Sequence, residues 1–325
     1  MRKVLVTGGA GFIGSHLVEM LIARGDCVMA LDDESTGRAD NLHSVRDHFD
    51  FSLVRGRVEN RALLAELLAD ADEVYHLAAA VGVRLIAQSP VESIQRNLQP
   101  TDVLLEELAK VARERGPIKL FLASSSEVYG KNPKEAWTEE DSLVFGPTSC
   151  MRWSYGASKA LDEFLALAHH EEHGQPLVIG RFFNVVGPRQ TGRYGMVLPR
   201  FVESALADRP LTVHDDGQQV RCFAHVEDVC RAILQLMDTP AANGQVFNIG
   251  SDQATTILDL AKQVVAIVRP GVEIEHESYA EAYSPNFEDV RRRVPDLTKL
   301  RSTINYAPRY DLEAMIRDVF HSKRR

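Results

Sequence analysis

The middle of the chain carries residues that could handle protons. SYGASKA sets Tyr155 and Lys159 four residues apart, a spacing that places both on one face of a helix. A phenol with an ordinary pKa near 10 is a poor base at neutral pH, but a neighbouring ammonium favours its phenolate and suits it to taking a proton from an alcohol. Upstream, SSSEVYG (Ser124 to Gly130) sets a run of hydroxyls beside one carboxylate, Glu127, directly after the apolar run IKLFLA, which reads as a buried strand. Glu127 there either bonds to nearby backbone or faces a substrate. In the second case the chemistry goes further than hydride transfer.

A glycine pattern near the N-terminus provides for a dinucleotide. TGGAGFIG, Thr7 to Gly14, follows an apolar strand and opens a helix; Gly9, Gly11 and Gly14 match GxGxxG, and Gly8, Gly11 and Gly14 match the GxxGxxG variant. Glycines there permit a tight turn and let a pyrophosphate approach free N–H groups at the helix start. The next strand ends in Leu31-Asp32-Asp33, so Asp32 can accept from the adenosine ribose hydroxyls, and two carboxylates would repel a 2'-phosphate. NAD is therefore expected rather than NADP.

The elements that must position these groups alternate. Apolar strands VLVTG, CVMALDD, FSLVRG, EVYHLAAA, IKLFLASS and PLVIGRFFN are separated by helical patterns at about residues 12–24, 62–68, 91–115 and 154–173. Such alternation predicts an α/β fold, a Rossmann-type doubly wound parallel sheet with function at the carboxyl ends of its strands. Beyond Asn184 the loops lengthen, while QVFNIGS reads as a strand returning to the sheet. The expected division is a dinucleotide domain over 1–183, with a returning segment near 224–250, and a smaller, discontinuous substrate-binding lobe over 184–325.

Composition narrows the function classes. A chain of 325 residues, 45% hydrophobic, can bury a substantial core. No apolar run reaches the roughly 18 residues needed to span a bilayer, and the start, MRKVLVTGG, runs straight into a strand pattern, so a soluble cytoplasmic protein is expected. A net charge of -9 opposes a general nucleic-acid surface. The four cysteines (Cys27, Cys150, Cys222 and Cys230) are scattered, without metal-ligand spacing, and no metal is expected.

Together, TGGAGFIG, LDD, HLAA (His76 to Ala79), SSSEVYG, YGASK, RFFNVVGPR and QVRCFAHVEDV resemble the extended short-chain dehydrogenases/reductases, specifically the NAD-dependent epimerase/dehydratase group that acts on nucleotide sugars. The resemblance implies that Tyr155 is the catalytic base, that Lys159 orients the nicotinamide ribose and lowers the tyrosine pKa, and that Ser125 bonds the reacting sugar hydroxyl. It implies that NAD lies against Gly8, Gly11, Phe12, Ile13, Gly14, Asp32, Leu77, Ala78 and Ala79, as well as Tyr155 and Lys159. Ser126, Asn184 and Arg189 would contact the nucleotide sugar, and Arg221 its diphosphate. One departure stands out: many relatives carry an Asp after the third strand to hold the adenine, whereas RGRVEN puts Arg57 there.

In this group, oxidation at the sugar C4 gives a 4-keto intermediate whose fate depends on its neighbours. The Ser126-Glu127 pair is similar to that of mannose-type dehydratases and glucuronate decarboxylases. YSPNFEDVRRRVPDL, Tyr283 to Leu297, resembles a stretch of bacterial UDP-glucuronate decarboxylases and would set Arg293 against the sugar carboxylate, a pairing that suits a guanidinium. RWSYGASK points the same way, and Arg84 would be a second anion ligand. Against this, Ile86 falls near the place of a tyrosine those decarboxylases usually carry. UDP-glucuronate decarboxylation is the leading expectation. The alternatives are 4-epimerisation of a UDP-hexose or UDP-uronate, 4,6-dehydration of a nucleotide hexose, and a noncatalytic NAD-binding regulator, which would have no need of the Ser125, Tyr155 and Lys159 set. By resemblance a homodimer is expected through the Tyr-Lys helix and the long helix before the fifth strand, with Leu161, Phe164 and Leu165 available for the contact.

Overall fold

The computed structural model describes residues 1–79, 89–192, 196–282 and 288–324. Seven strands form its central sheet: β1 (Lys3–Thr7), β2 (Cys27–Asp32), β3 (Phe51–Arg55), β4 (Glu73–His76), β5 (Lys119–Ser125), β6 (Leu177–Phe182) and β7 (Gln245–Ile249). Their spatial order is β7-β6-β5-β4-β1-β2-β3, and every neighbouring pair is parallel. Parallel strands are covered on both faces, and β1 is accordingly buried at every position after Lys3. The order reverses between β1 and β4, the point where doubly wound sheets open a crevice at their carboxyl ends. As expected, QVFNI returns from the second half of the chain to pair with β6.

Four helices set the site. α1 (Phe12–Ala23) buries Gly14, Leu17, Val18 and Leu21, one stripe at helical spacing, against the sheet. α2 (Arg61–Leu68) is capped by Asn60, whose side chain accepts from the Leu63 N–H. α3 (Pro90–Arg115) begins on a proline, which loses nothing at a position where the N–H has no helical partner. α4 (Ser154–His173) ends on Gly174 with φ of 67°, the left-handed conformation glycine adopts without strain. A buried ion pair locks α4 to the sheet: Arg181 on β6 donates to Glu163 from Nη2 at 2.7 Å and from Nε at 3.0 Å.

The second half of the chain adds short pairings and its own core, in which Leu198, Phe201, Leu260 and Val264 pack against Ile316 and Val319. In a three-stranded sheet, Val220–Cys222 lies between Ala254–Thr256 and Arg292–Arg293. Its register sets Arg293 opposite Arg221. No helix among the described residues is long and apolar enough to cross a membrane.

Candidate functional site

A continuous cleft of about 510 Å³ runs over the carboxyl ends of the strands, from the first glycine turn to Arg293. At its dinucleotide end the chain passes from β1 into α1 with almost no space to spare. Gly8 has φ of +72°, and a Cβ on Gly14 would stand 2.1 Å from the Gly8 carbonyl oxygen, so neither position takes a side chain. α1 starts at Gly11 without a side-chain cap, which leaves its first N–H groups for an anion. Asp32, at the end of β2, accepts from the N–H of Ala10 at 2.9 Å and of Glu34 at 2.8 Å. Burial raises its pKa, and those two N–H groups pull against the rise. Each of its oxygens keeps a lone pair for a ribose hydroxyl. Gly8, Gly11, Phe12, Ile13, Gly14, Asp32, Leu77, Ala78 and Ala79 all line the cleft. A glycine cradle under an uncapped helix start, with a carboxylate at the end of the next strand, fits the pyrophosphate and adenosine ribose of NAD.

Arg57 lies on the same cleft wall, beyond Asp32. Its Nη2 donates to Oε1 of Glu59 at 2.7 Å, so a cation held by its own carboxylate stands in the place expected for an adenine-binding Asp.

At the catalytic end, Tyr155 and Lys159 project from α4 into the cleft beside Ser125, at the end of β5. Ser125 favours the charged form of the phenol, and its hydroxyl oxygen accepts from the Glu127 N–H at 3.2 Å. Lys159 is buried and donates to Asp162 at 2.8 Å, one turn along the helix. Burial works against its charge, but Asp162 and Tyr155 more than restore it. Lys159 pulls the tyrosine pKa down, in the expected direction, while burial is the larger influence and leaves the phenol above its ordinary value. Glu127 and Asp162 add to the rise, and Ser125 works against it. Behind them, His76 is bonded through Nδ1 to the Thr7 hydroxyl at 2.7 Å, and burial, then Lys159, lowers its pKa to about 3.

Glu127 sits on the one-turn helix after β5 and does face the cleft. Arg152 grips it with both terminal nitrogens, at 2.7 and 3.0 Å, and Arg293 adds an ion pair at 2.8 Å. Burial would raise the carboxylate pKa, but the two guanidiniums outweigh it and hold Glu127 well below the usual range. Next to it, Asp289 takes Arg221 at 2.9 Å and the Tyr279 hydroxyl at 2.7 Å, with Arg152 3.8 Å away. Burial presses the Arg221 pKa down. Both Arg152 and Arg293 keep a buried Nε without a hydrogen-bond partner.

The structure brings together most of the residues singled out from sequence. Ser126, Arg221 and Arg293 are buried and line the cleft, as does the half-buried Asn184, which donates to the Cys222 carbonyl at 2.8 Å. Arg189 is a correction. Its side chain runs behind the glycine turn to the Asn41 carbonyl at 2.7 Å, His16 at 3.0 Å and Glu19 at 2.5 Å, and it is not among the residues lining the cleft. A left-handed backbone at Arg189, φ of 70°, follows Gly187-Pro188, and the carboxylate of Glu19 fixes the side chain there. Arg84 and Ile86 lie outside the described residues. Arg152, Asp289 and Tyr279 are cleft residues with no role assigned from sequence. Arg152 had a local signal, standing three residues before Tyr155. Asp289 lay within the YSPNFEDVRRRVPDL stretch, but its partner Arg221 is 68 residues away, and Tyr279 is placed only by its bond to Asp289.

Comparison with known proteins agrees with this geometry. The family model for GDP-mannose 4,6 dehydratase matches residues 5–319. The chain is 35% identical to a UDP-N-acetyl-alpha-D-glucosaminuronate decarboxylase of Bacillus cytotoxicus, covering 98% of this chain and 96% of that protein. It is 34% identical to UDP-glucuronic acid decarboxylase 1 of Arabidopsis thaliana, covering 95% of this chain and 67% of that one. Among solved structures, a UDP-glucuronic acid 4-epimerase from Bacillus cereus, in complex with UDP-glucuronic acid and NAD, superposes with a TM-score of 0.87 at 29% identity, over 99% of both chains. The fold, the dinucleotide cradle and these matches converge: the chain belongs to the GDP-mannose 4,6-dehydratase family and is an NAD-dependent enzyme of the epimerase/dehydratase group of extended short-chain dehydrogenases/reductases.

Proposed function

We propose that the chain decarboxylates a UDP-hexuronate, UDP-glucuronate first, through a 4-keto intermediate. The observation that carries this reading is the buried cluster in which Glu127 is shared by Arg152 and Arg293 beside Tyr155. Two guanidiniums around one carboxylate form a pocket for a second carboxylate.

Bound NAD supplies the hydride acceptor at C4 and, at the end of the cycle, the hydride donor. The glycine turn, Asp32 and Leu77 to Ala79 would hold it, with Lys159 at the nicotinamide ribose. Tyr155 takes the proton of the C4 hydroxyl, with Ser125 bonded to the same oxygen and the Lys159 ammonium stabilising the phenolate. Once C4 is a ketone, the C6 carboxylate is β to it. The C5–C6 bond breaks, carbon dioxide leaves, and the electron pair becomes an enolate whose oxygen faces Ser125 and Tyr155. A sugar carboxylate drawn to Arg293 shares that cation with Glu127 and returns the Glu127 pKa towards its ordinary range, so that Glu127 can relay a solvent proton to C5. Tyr155 returns its proton to O4 as the C4 ketone goes back to an alcohol, a reduction for which bound NAD would supply the hydride. The net change consumes one proton and releases carbon dioxide and a UDP-pentose.

A second substrate has its own support, because the relative matched nearly end to end is named for UDP-N-acetyl-glucosaminuronate. The experiment is to incubate the protein with NAD and each UDP-uronate, and to follow mass and proton NMR. Loss of carbon dioxide with a pentose spectrum supports the proposal and ranks the two substrates. Unchanged mass with a new anomeric signal means a uronate 4-epimerase. No change with either uronate overturns the proposal and turns the search to neutral nucleotide hexoses.

Residues 1–183 with the returning segment are assigned to the dinucleotide, and most of the remainder to the nucleotide sugar. We read the enzyme as a homodimer: Leu161 and Phe164 on α4 are 53% and 66% exposed, a pair of apolar side chains that a second α4 would cover. Leu165 instead packs into the core beneath. The assigned location is the cytoplasm, where its four unpaired cysteines stay reduced.

A further inference from the structure

We propose that Glu59 reads the purine amino group of the dinucleotide and that Arg57 is its positioning residue. The inference rests on NAD binding in the cleft and on nothing in the sugar chemistry. The strand order places the purine. Tyr155 and Ser125 lie towards β5, the glycine turn follows β1, and Asp32 closes β2. With the pyrophosphate over β1 and the adenosine ribose at Asp32, the base extends over the end of β3.

That end of the cleft is walled by Gly56, Arg57, Val58 and Glu59. Its backbone is fixed. The Gly56 N–H donates to the Asp32 carbonyl at 3.0 Å and the Asn60 N–H to the Arg57 carbonyl at 3.1 Å, while Asn60 caps α2. Val58, 4% exposed, is buried in the same apolar cluster as Leu31 and Leu64. Arg57 and Glu59 therefore leave a rigid turn on either side of a buried anchor.

Adenine offers one donor group, the N6 amino, and accepts elsewhere on its ring. An Asp at position 57 would take that amino group; the guanidinium there cannot accept anything. Glu59 supplies the missing acceptor. Arg57 engages its Oε1 at 2.7 Å, and the second carboxylate oxygen can take an amino group. The side-chain exposures agree with this division, 22% for Glu59 and 52% for Arg57. Glu59 is also the strongest influence on the Arg57 charge, ahead of Asp33 and Glu92.

The test compares NAD with nicotinamide hypoxanthine dinucleotide, in which a carbonyl oxygen replaces the amino group, by calorimetric binding constants. The protein is expected to prefer NAD by about tenfold or more, because two acceptors would otherwise face each other. Glu59→Gln should bring the ratio near one, since an amide can serve either base. Arg57→Met should cut the preference several-fold, and Arg57→Lys should restore part of it. A ratio near one in the unaltered protein, or an unchanged ratio in Glu59→Gln, overturns the reading of Glu59. An unchanged ratio in Arg57→Met overturns the positioning role. Because the readout is relative dinucleotide affinity, failure of the decarboxylation assay leaves this result untouched, and the reverse also holds.

Discussion

Arg152 holds Glu127 through two parallel hydrogen bonds, from Nη1 at 2.7 Å and from Nη2 at 3.0 Å. Bidentate pairing fixes direction as well as charge, so the carboxylate is aimed from below while Arg293 approaches from the neighbouring short strand. Substituting Arg152→Met removes the grip and leaves Glu127 with one cation. Breaking a buried pair in this way costs about 3–5 kcal/mol where no other partner remains. With Arg293 in place the lower end is expected, and Arg152→Lys should recover only part because an ammonium cannot bond bidentately. Urea denaturation of the three proteins checks the stability. Turnover of the UDP-uronate should fall by about a hundredfold or more in Arg152→Met, on the scale of a lost proton-handling group.

Tyr155→Phe keeps the ring and its packing while removing the phenolic proton carrier. A fall of about 10²–10⁴ in turnover is expected, with the dinucleotide still bound. Steady-state kinetics paired with calorimetry for NAD separates the two. Full turnover in this variant would overturn the mechanism.

Acid sensitivity follows from His76. Its folded pKa is lowered from 6.5 to about 3 by burial and Lys159, so the folded protein carries a neutral imidazole where the unfolded chain binds a proton. Stability is then full above about pH 6.5 and falls as the pH drops towards 3, at ~1.4 kcal/mol per unit for this one group. His16, lowered to about 4 by burial and Arg189, adds to the same slope. Denaturation midpoints measured between pH 4 and 7 should show the trend, and His76→Asn should flatten it by about one proton.

Gly14→Ala would set a methyl group 2.1 Å from the Gly8 carbonyl oxygen. Because the obstacle is backbone, the first turn of α1 must shift. A loss of about 1–3 kcal/mol is expected, together with weaker NAD binding, since the same turn cradles the pyrophosphate. Thermal melting with and without NAD checks both, with a smaller stabilisation by NAD in the variant.

Local spacing alone determined much of this protein. Helix periodicity put Tyr155 and Lys159 on one face, the glycines before α1 announced a turn with no room for side chains, and short apolar runs marked the strands of the parallel sheet. These features depend on neighbours within a few residues, where backbone geometry leaves few choices. Which partner each charge takes was decided only by the tertiary structure. Glu127 meets Arg293 because the pairing of Val220–Cys222 with Arg292–Arg293 carries that arginine to the cleft. Asp289 meets Arg221 and Tyr279 across the same junction. Arg189 lies close in sequence to Asn184, yet Glu19 and the Asn41 carbonyl draw it behind the glycine turn. The tyrosine pKa likewise depends on how deeply the fold buries the phenol, which raises it against the pull of Lys159. Electrostatic partnership in a buried site depends on distance and desolvation, and both are set by chain segments remote in sequence.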